Sequence, residues 1–131
     1  MNNVDFYNCQ VVILHMLQIT SIGKEIKQTF TQELPNGEEY IITLEFLTND
    51  LENNLGCFYI TLEYKGKIYD EARAVVLSVN LYDDFSNILP YGIGIFSSKG
   101  FEPEVVEVFD AGICTMNILT YEEITEIRAS S

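Results

Sequence analysis

The chain has 131 residues, with 20 Asp and Glu against 7 Lys and Arg, a formal charge of -13, and 47% apolar residues. So much apolar material excludes a disordered acidic tail, and ordinary counts of Gly (8) and Pro (3) exclude collagen-like and low-complexity classes. The length fits a single globular domain over residues 1–131 that buries roughly two-thirds of the surface its unfolded form exposes.

The first element to place is residues 5–20. Phe6, Cys9, Ile13, Met16 and Leu17 recur at helical spacing, with Asn3 or Asp5 available as N-cap. Val11 to Leu14 would also suit a fully buried strand, but the length of the stretch favours a helix. The apolar run Val11-Val12-Ile13-Leu14-His15-Met16-Leu17 falls far short of the roughly 20 residues that a membrane helix needs. The start Met1-Asn2-Asn3-Val4-Asp5 has no basic n-region, so no secretory signal is expected and the expected compartment is the cytoplasm.

Residues 26–47 carry the clearest pattern. Ile26, Gln28, Phe30, Gln32 and Leu34 alternate with Lys27, Thr29, Thr31 and Glu33; after Pro35-Asn36-Gly37 the alternation resumes through Tyr40, Ile42, Leu44 and Phe46. Period-2 alternation on both sides of Asn-Gly predicts a β-hairpin. Residues 48–56 read as a polar surface loop. A second hairpin is predicted over 57–69, with Lys65-Gly66 as its turn. Residues 70–82 admit a helix with Ala72, Val75, Val76 and Val79 inward, or a strand with Arg73, Val75, Leu77, Val79 and Leu81 on one face; the Ile68-Tyr69 lead-in and the valines favour the strand.

Further strands are predicted at 91–96, 105–109 and 113–119. Thr120-Tyr121-Glu122-Glu123 fits a capping box, opening a short C-terminal helix with Ile124 and Ile127 inward. The expected fold is α+β, a mainly antiparallel sheet with one or two packed helices.

Chemical motifs are sparse. The single histidine, His15, lies inside an apolar run and reads as structural. The cysteines Cys9, Cys57 and Cys114 lack the paired spacing of a metal site and read as free thiols, with a Cys9–Cys57 or Cys57–Cys114 bridge as the alternative. Asp50-x-Glu52-x-Asn54 superficially resembles a calcium loop, but Gly56 and Thr61 stand out of register with the glycine and glutamate that such a loop requires. Gly92-x-Gly94 lacks the third glycine of a dinucleotide fingerprint and marks a bulge or a close backbone approach. Adjacent carboxylates such as Asp83-Asp84 arise readily in so acidic a chain, and without Trp a sugar-cleaving cleft is disfavoured. No cofactor, metal site or catalytic residue is expected.

The charge is unevenly distributed. Residues 51–100 hold 6 acids and 4 bases, whereas residues 101–131 hold 7 acids and 1 base. Such a field repels nucleic acid and anionic membranes and attracts basic proteins. Two groups of candidate partner-binding residues follow: the acidic-aromatic stretch Tyr82, Asp83, Asp84 and Tyr91, and the acids Glu102, Glu104, Glu107 and Asp110. The bland alternatives are a solubility role for the charge and aromatics tucked back into the core. The expected function is non-enzymatic: an acidic protein that neutralises a basic partner such as a toxin or nuclease, in the manner of an immunity protein or a phage-encoded inhibitor. A small-molecule binder or small enzyme with a pocket between sheet and helix, and an assembly module held by strand addition, are the alternatives.

Overall fold

A computed structural model describes residues 16–130. The architecture is α+β and dominated by two antiparallel sheets. The larger has the order β2 (Lys27–Glu33), β3 (Glu39–Asp50), β4 (Leu55–Tyr64) and β5 (Lys67–Ala74). The smaller has the order β1 (Leu17–Gln18), β7 (Cys114–Leu119) and β6 (Gly92–Ser97). A helix, α1 (Tyr121–Ser130), closes the described chain. Among the described residues, no helix is long and apolar enough to cross a membrane.

The larger sheet forms because its strands alternate. Tyr40, Ile42, Leu44 and Phe46 of β3, with Phe58, Ile60, Leu62 and Tyr64 of β4, turn to one face and are buried. They join Ile93, Ile95, Met116 and Ile118 of the smaller sheet in one continuous core. Each fully buried Ile, Leu or Phe contributes roughly 1.5–3 kcal/mol, so this shared layer is the main force holding the two sheets together. Phe46 meets Phe58 edge-on at 4.9 Å, and Phe58 meets Phe109 at 5.1 Å. Tyr40 adds a polar tie: its hydroxyl donates to the Tyr91 carbonyl at 2.7 Å and accepts from the Tyr91 N–H at 3.2 Å.

Both predicted hairpins form, turning at Asn36-Gly37 and Lys65-Gly66. The predicted loop at 48–56 is shorter than expected, since pairing continues to Asp50↔Leu55 and leaves only residues 51–54 as the turn. The capping box also forms, with Thr120 N–H donating to Glu123 Oε1 (2.8 Å) and Glu123 N–H donating to Thr120 Oγ1 (3.1 Å). Ile124 is buried and Ile127 half-buried, as the spacing predicts. The close approach expected at Gly92-x-Gly94 is present: a Cβ on Gly92 would lie 2.6 Å from Ile124 Cδ1, and one on Gly94 would lie 2.6 Å from Leu119 Cδ1.

Three expectations need correction. The helix read over 5–20 fails at its described end, and residues 5–15 lie outside the described residues. Leu17↔Ile118 and Gln18↔Asn117 pair as strand, because the open side of β7 offers backbone partners that outweigh a marginal helical period. The strand read over 70–82 holds only as far as Ala74. Beyond it the chain crosses between sheets, bonding first to Phe58 through Val75 N–H and then to β6 through Ser78 and Leu81. The strand read over 105–109 does not form; residues 105–112 are successive turns. Val108 N–H bonds the Val105 carbonyl and Ala111 N–H bonds that of Glu107, so the backbone is satisfied locally without a neighbouring strand.

Gly56 is the position where the larger sheet meets this turn-rich segment. It is buried, and a Cβ there would strike the Leu47 carbonyl oxygen and approach the Phe46 ring to 2.8 Å. The pairing Thr48↔Gly56 prevents the backbone from retreating. Gly56→Ala is therefore expected to lower stability by about 1–3 kcal/mol, read as a shifted midpoint in urea denaturation with an unchanged slope.

Candidate functional site

The segment joining β6 to β7 carries Glu102, Glu104, Glu107 and Asp110, all exposed. It is fixed from beneath. Pro103, Val108 and Phe109 are buried, with Phe109 against Phe58. Ser97 Oγ accepts the N–H groups of Lys99 and Phe101, both at 3.2 Å, and the Cys114 thiol lies 3.6 Å from the Phe101 carbonyl. Gly56 N–H donates to the Glu104 carbonyl at 2.8 Å. The Glu102 carboxylate also braces the backbone, its Oε1 accepting the Leu77 N–H at 2.8 Å. Among the described residues, Glu104, Glu107 and Asp110 form no ion pair.

Exposed apolar side chains lie next to these acids in sequence or on segments bonded to theirs. Phe101 is 66% exposed, Val76 beside the Glu102 contact is 46% exposed, and Leu51, at the tip of the β3–β4 turn, is 84% exposed. That tip also holds Asp50, whose carboxyl is kept below its usual range by hydrogen bonds from the side chain and backbone of Asn53. An exposed apolar patch with a charged rim is one form that a protein-binding surface takes. Sequence reading missed Phe101 and Leu51 because an exposed apolar residue in an irregular segment has no periodicity to reveal it, and it counted Val76 only as an inward residue of the helical alternative for 70–82.

The acidic-aromatic stretch behaves differently. Asp83–Phe85 is a short 3-10 turn held by Arg73. Arg73 donates to both oxygens of Asp84, each at 2.6 Å, to Asp70 Oδ2 at 2.7 Å and to the Leu81 carbonyl at 2.7 Å. Its guanidinium lies 4.6 Å from the Tyr82 ring centre and 5.5 Å from that of Phe85. Asp83 pairs with Arg128 at 3.2 Å. The Arg73 guanidinium holds the Asp84 carboxyl below the usual carboxylate range.

Tyr82 is therefore not an exposed anchor. It is 1% exposed, and burial pushes its phenol well above the ordinary value. Asn80, also buried, accepts the N–H groups of Tyr82 (3.1 Å) and Ile93 (3.2 Å), which fixes this turn against β6. Tyr91 is half-buried with its backbone clamped by Tyr40.

The two groups are nevertheless tied to nearby positions of one segment. Arg73, bound to Asp84, and Leu77, bound to Glu102, are separated by four steps of extended chain, at most about 14 Å. Sequence reading placed Arg73 only on one face of a strand, although an Arg between Asp70-Glu71 and Asp83-Asp84 was the available signal.

No known family's sequence model matches the chain, and no curated protein matches it. Cys57 and Cys114 are free thiols rather than a Cys57–Cys114 bridge, while Cys9 and His15 lie outside the described residues. Burial pushes the Cys114 thiol up, away from thiolate reactivity. Cys114 lines a concavity of about 230 Å³ with Ile19, Phe109 and Met116, whose wall also carries the polar residues Gln18, Thr20 and Asp110. Among the described residues, no group of three or more His, Cys, Asp or Glu side chains is placed to hold a metal ion. The arrangement offers exposed charge, exposed apolar side chains and a backed segment.

Arg73 decides whether the 81–85 turn keeps its shape. Arg73→Ala is expected to cost about 2 kcal/mol at neutral pH, between the limits for exposed and buried ion pairs, with Arg73→Lys recovering only part. Because the folded-state value of Asp84 is lowered, its contribution is present above the unfolded value and is lost as pH falls through the folded one. Chemical denaturation across pH should show the gap between wild type and Arg73→Ala narrowing below about pH 4.

Proposed function

We propose that the protein is a non-enzymatic binding protein of the cytoplasm that neutralises a basic partner protein, such as a nuclease or other toxin domain, as an immunity protein or inhibitor does. The observation that carries this reading is the state of Glu104, Glu107 and Asp110: exposed, without an ion pair among the described residues, and mounted on a segment pinned by Val108, Phe109 and Gly56. Acids placed for solubility need no rigid backing and no apolar neighbour. Here Phe101 supplies an anchor at the edge of the acidic run.

Nucleases and related toxins bind phosphate backbones through cationic clefts, and a compact acidic protein presents the complementary surface. The pairing of Asp83 and Asp84 with Arg128 and Arg73 supports placing the binding face on residues 101–110, with the 82–91 stretch as its support. Long-range attraction from the whole chain, at -13, would speed encounter, while Phe101 and Val76 would set the lifetime of the complex.

The test is co-expression with a panel of cationic nuclease toxin domains, followed by binding kinetics on any pair in which growth is rescued. Replacing Glu104 and Glu107 with Gln and Asp110 with Asn is expected to slow association about tenfold at low salt, with wild type and variant converging as salt rises. Equal association rates at low salt would refute an electrostatic binding face.

A further inference from the structure

Among the described residues, β2 has β3 as its only neighbour, so its other side is a sheet edge. Its seven residues pair with β3 without a bulge, from Lys27↔Glu45 to Glu33↔Glu39. Natural proteins blunt such edges, and the other edges here are blunted. In β5, register shifts at Ile60/Leu62, and Asp70 and Ala72 adopt positive φ (57° and 55°). The described β1 is two residues long. Ser78 bridges Ile95 over the outer side of β6. Among the described edges, β2 alone is long, regular and free of proline.

The ladder settles which backbone groups face outward. Phe46 N–H bonds the Ile26 carbonyl at 2.7 Å, and Leu34 N–H bonds the Glu38 carbonyl at 2.8 Å. Even-numbered residues of β2 therefore point their amides toward β3, and those of Lys27, Thr29, Thr31 and Glu33 point to the open edge. The side chains of these four are exposed, whereas Gln28, Phe30 and Gln32 are half-buried and Phe30 packs against the core.

The strand reads Lys-Gln-Thr-Phe-Thr-Gln-Glu, a palindrome about Phe30 whose ends carry opposite charge. Two copies laid antiparallel about a two-fold axis at Phe30 place Lys27 opposite Glu33 twice, Gln28 opposite Gln32 and Thr29 opposite Thr31. In that register the directly opposed pairs 27/33 and 29/31 are the ones whose amides face outward, so about eight backbone hydrogen bonds can form. The two Phe30 rings meet at the closely spaced, non-hydrogen-bonded centre. A shift of one residue would set inward amides against outward ones, and a shift of two would bring neither Lys27 onto Glu33 nor Phe30 onto Phe30.

We propose that β2 is a self-complementary interface through which two copies of this chain pair edge to edge, joining their larger sheets into one continuous eight-stranded sheet. The occupant is a second copy because charge, side-chain size and amide direction all match β2 itself. A two-fold, isologous contact of this kind closes after two subunits and leaves residues 101–110 on each copy outside the pairing strand.

Sedimentation of the chain from about 5 to 500 μM tests the pairing. The expected result is a monomer–dimer equilibrium in wild type. Thr31→Pro, which removes an outward amide that β3 does not use, should leave a monomer with an unchanged far-UV circular dichroism spectrum. Lys27→Glu and Glu33→Lys should each weaken the dimer about tenfold, and an equimolar mixture of the two should pair at least as tightly as wild type. That mixture keeps the proposal decidable even if the proline variant fails to fold. It also separates the intermolecular pair from the change that Lys27→Glu makes opposite Glu45 in β3. A wild type that stays monomeric throughout, a folded Thr31→Pro that dimerises normally, or a charge-swapped mixture no tighter than its components would each overturn it.

Discussion

The packing of the Arg73 guanidinium is the interaction on which the acidic flank of this molecule depends. A chain with 20 acids and 7 bases must neutralise carboxylates wherever folding brings them together. Arg73 does so for Asp70 and Asp84, bonds the Leu81 carbonyl, and covers the faces of Tyr82 and Phe85. A planar, delocalised cation meets all of these demands at once, and a lysine ammonium cannot. The irregular end of β5 aims it: Asp70 and Ala72 sit at positive φ, and the Thr61 hydroxyl accepts the Ala72 N–H at 3.0 Å. The local bulge bends the strand end toward the 81–85 turn, and it also blunts that edge of the sheet.

Two kinds of acid emerge that look alike on paper. Asp83 and Asp84 are engaged by Arg128 and Arg73, partners 45 and 11 positions away in sequence that only the fold brings near. Glu104, Glu107 and Asp110 have no such partner among the described residues and stand on a backed segment beside exposed Phe101. The same arithmetic of charge therefore gives structure at one place and a candidate recognition face at another. On the proposed function, the electrostatic field would attract the partner, and the apolar side chains and the backed segment would make binding selective.

Legibility followed the range of the physics involved. The hairpins and the capping box were readable because alternation, Asn-Gly and Thr-x-x-Glu act over a few residues and agree with the tertiary fold. Val105–Phe109 was misread because a β-rich run forms a strand only if another strand is available, and here Val108 and Phe109 plug the core from a chain of turns. Leu17–Gln18 was misread for the opposite reason: β7 supplied a pairing partner nearly 100 residues downstream. In the candidate site, the acids of 101–110 were visible as charge density. The burial of Tyr82 stood only as one of two options, because it depends on Arg73, which packs over its ring from another segment, and the exposure of Phe101 left no periodic signal.

On the proposed function, residues 101–110 form the binding face while the 82–91 stretch supports it from within. Hydrogen–deuterium exchange of the chain, free and bound to a basic toxin or nuclease domain that it neutralises, addresses this most directly. New protection is expected over 101–110 and the adjoining 75–77 segment, with exchange at 82–91 unchanged. Protection confined to 82–91, with 101–110 exchanging as in the free chain, would contradict it.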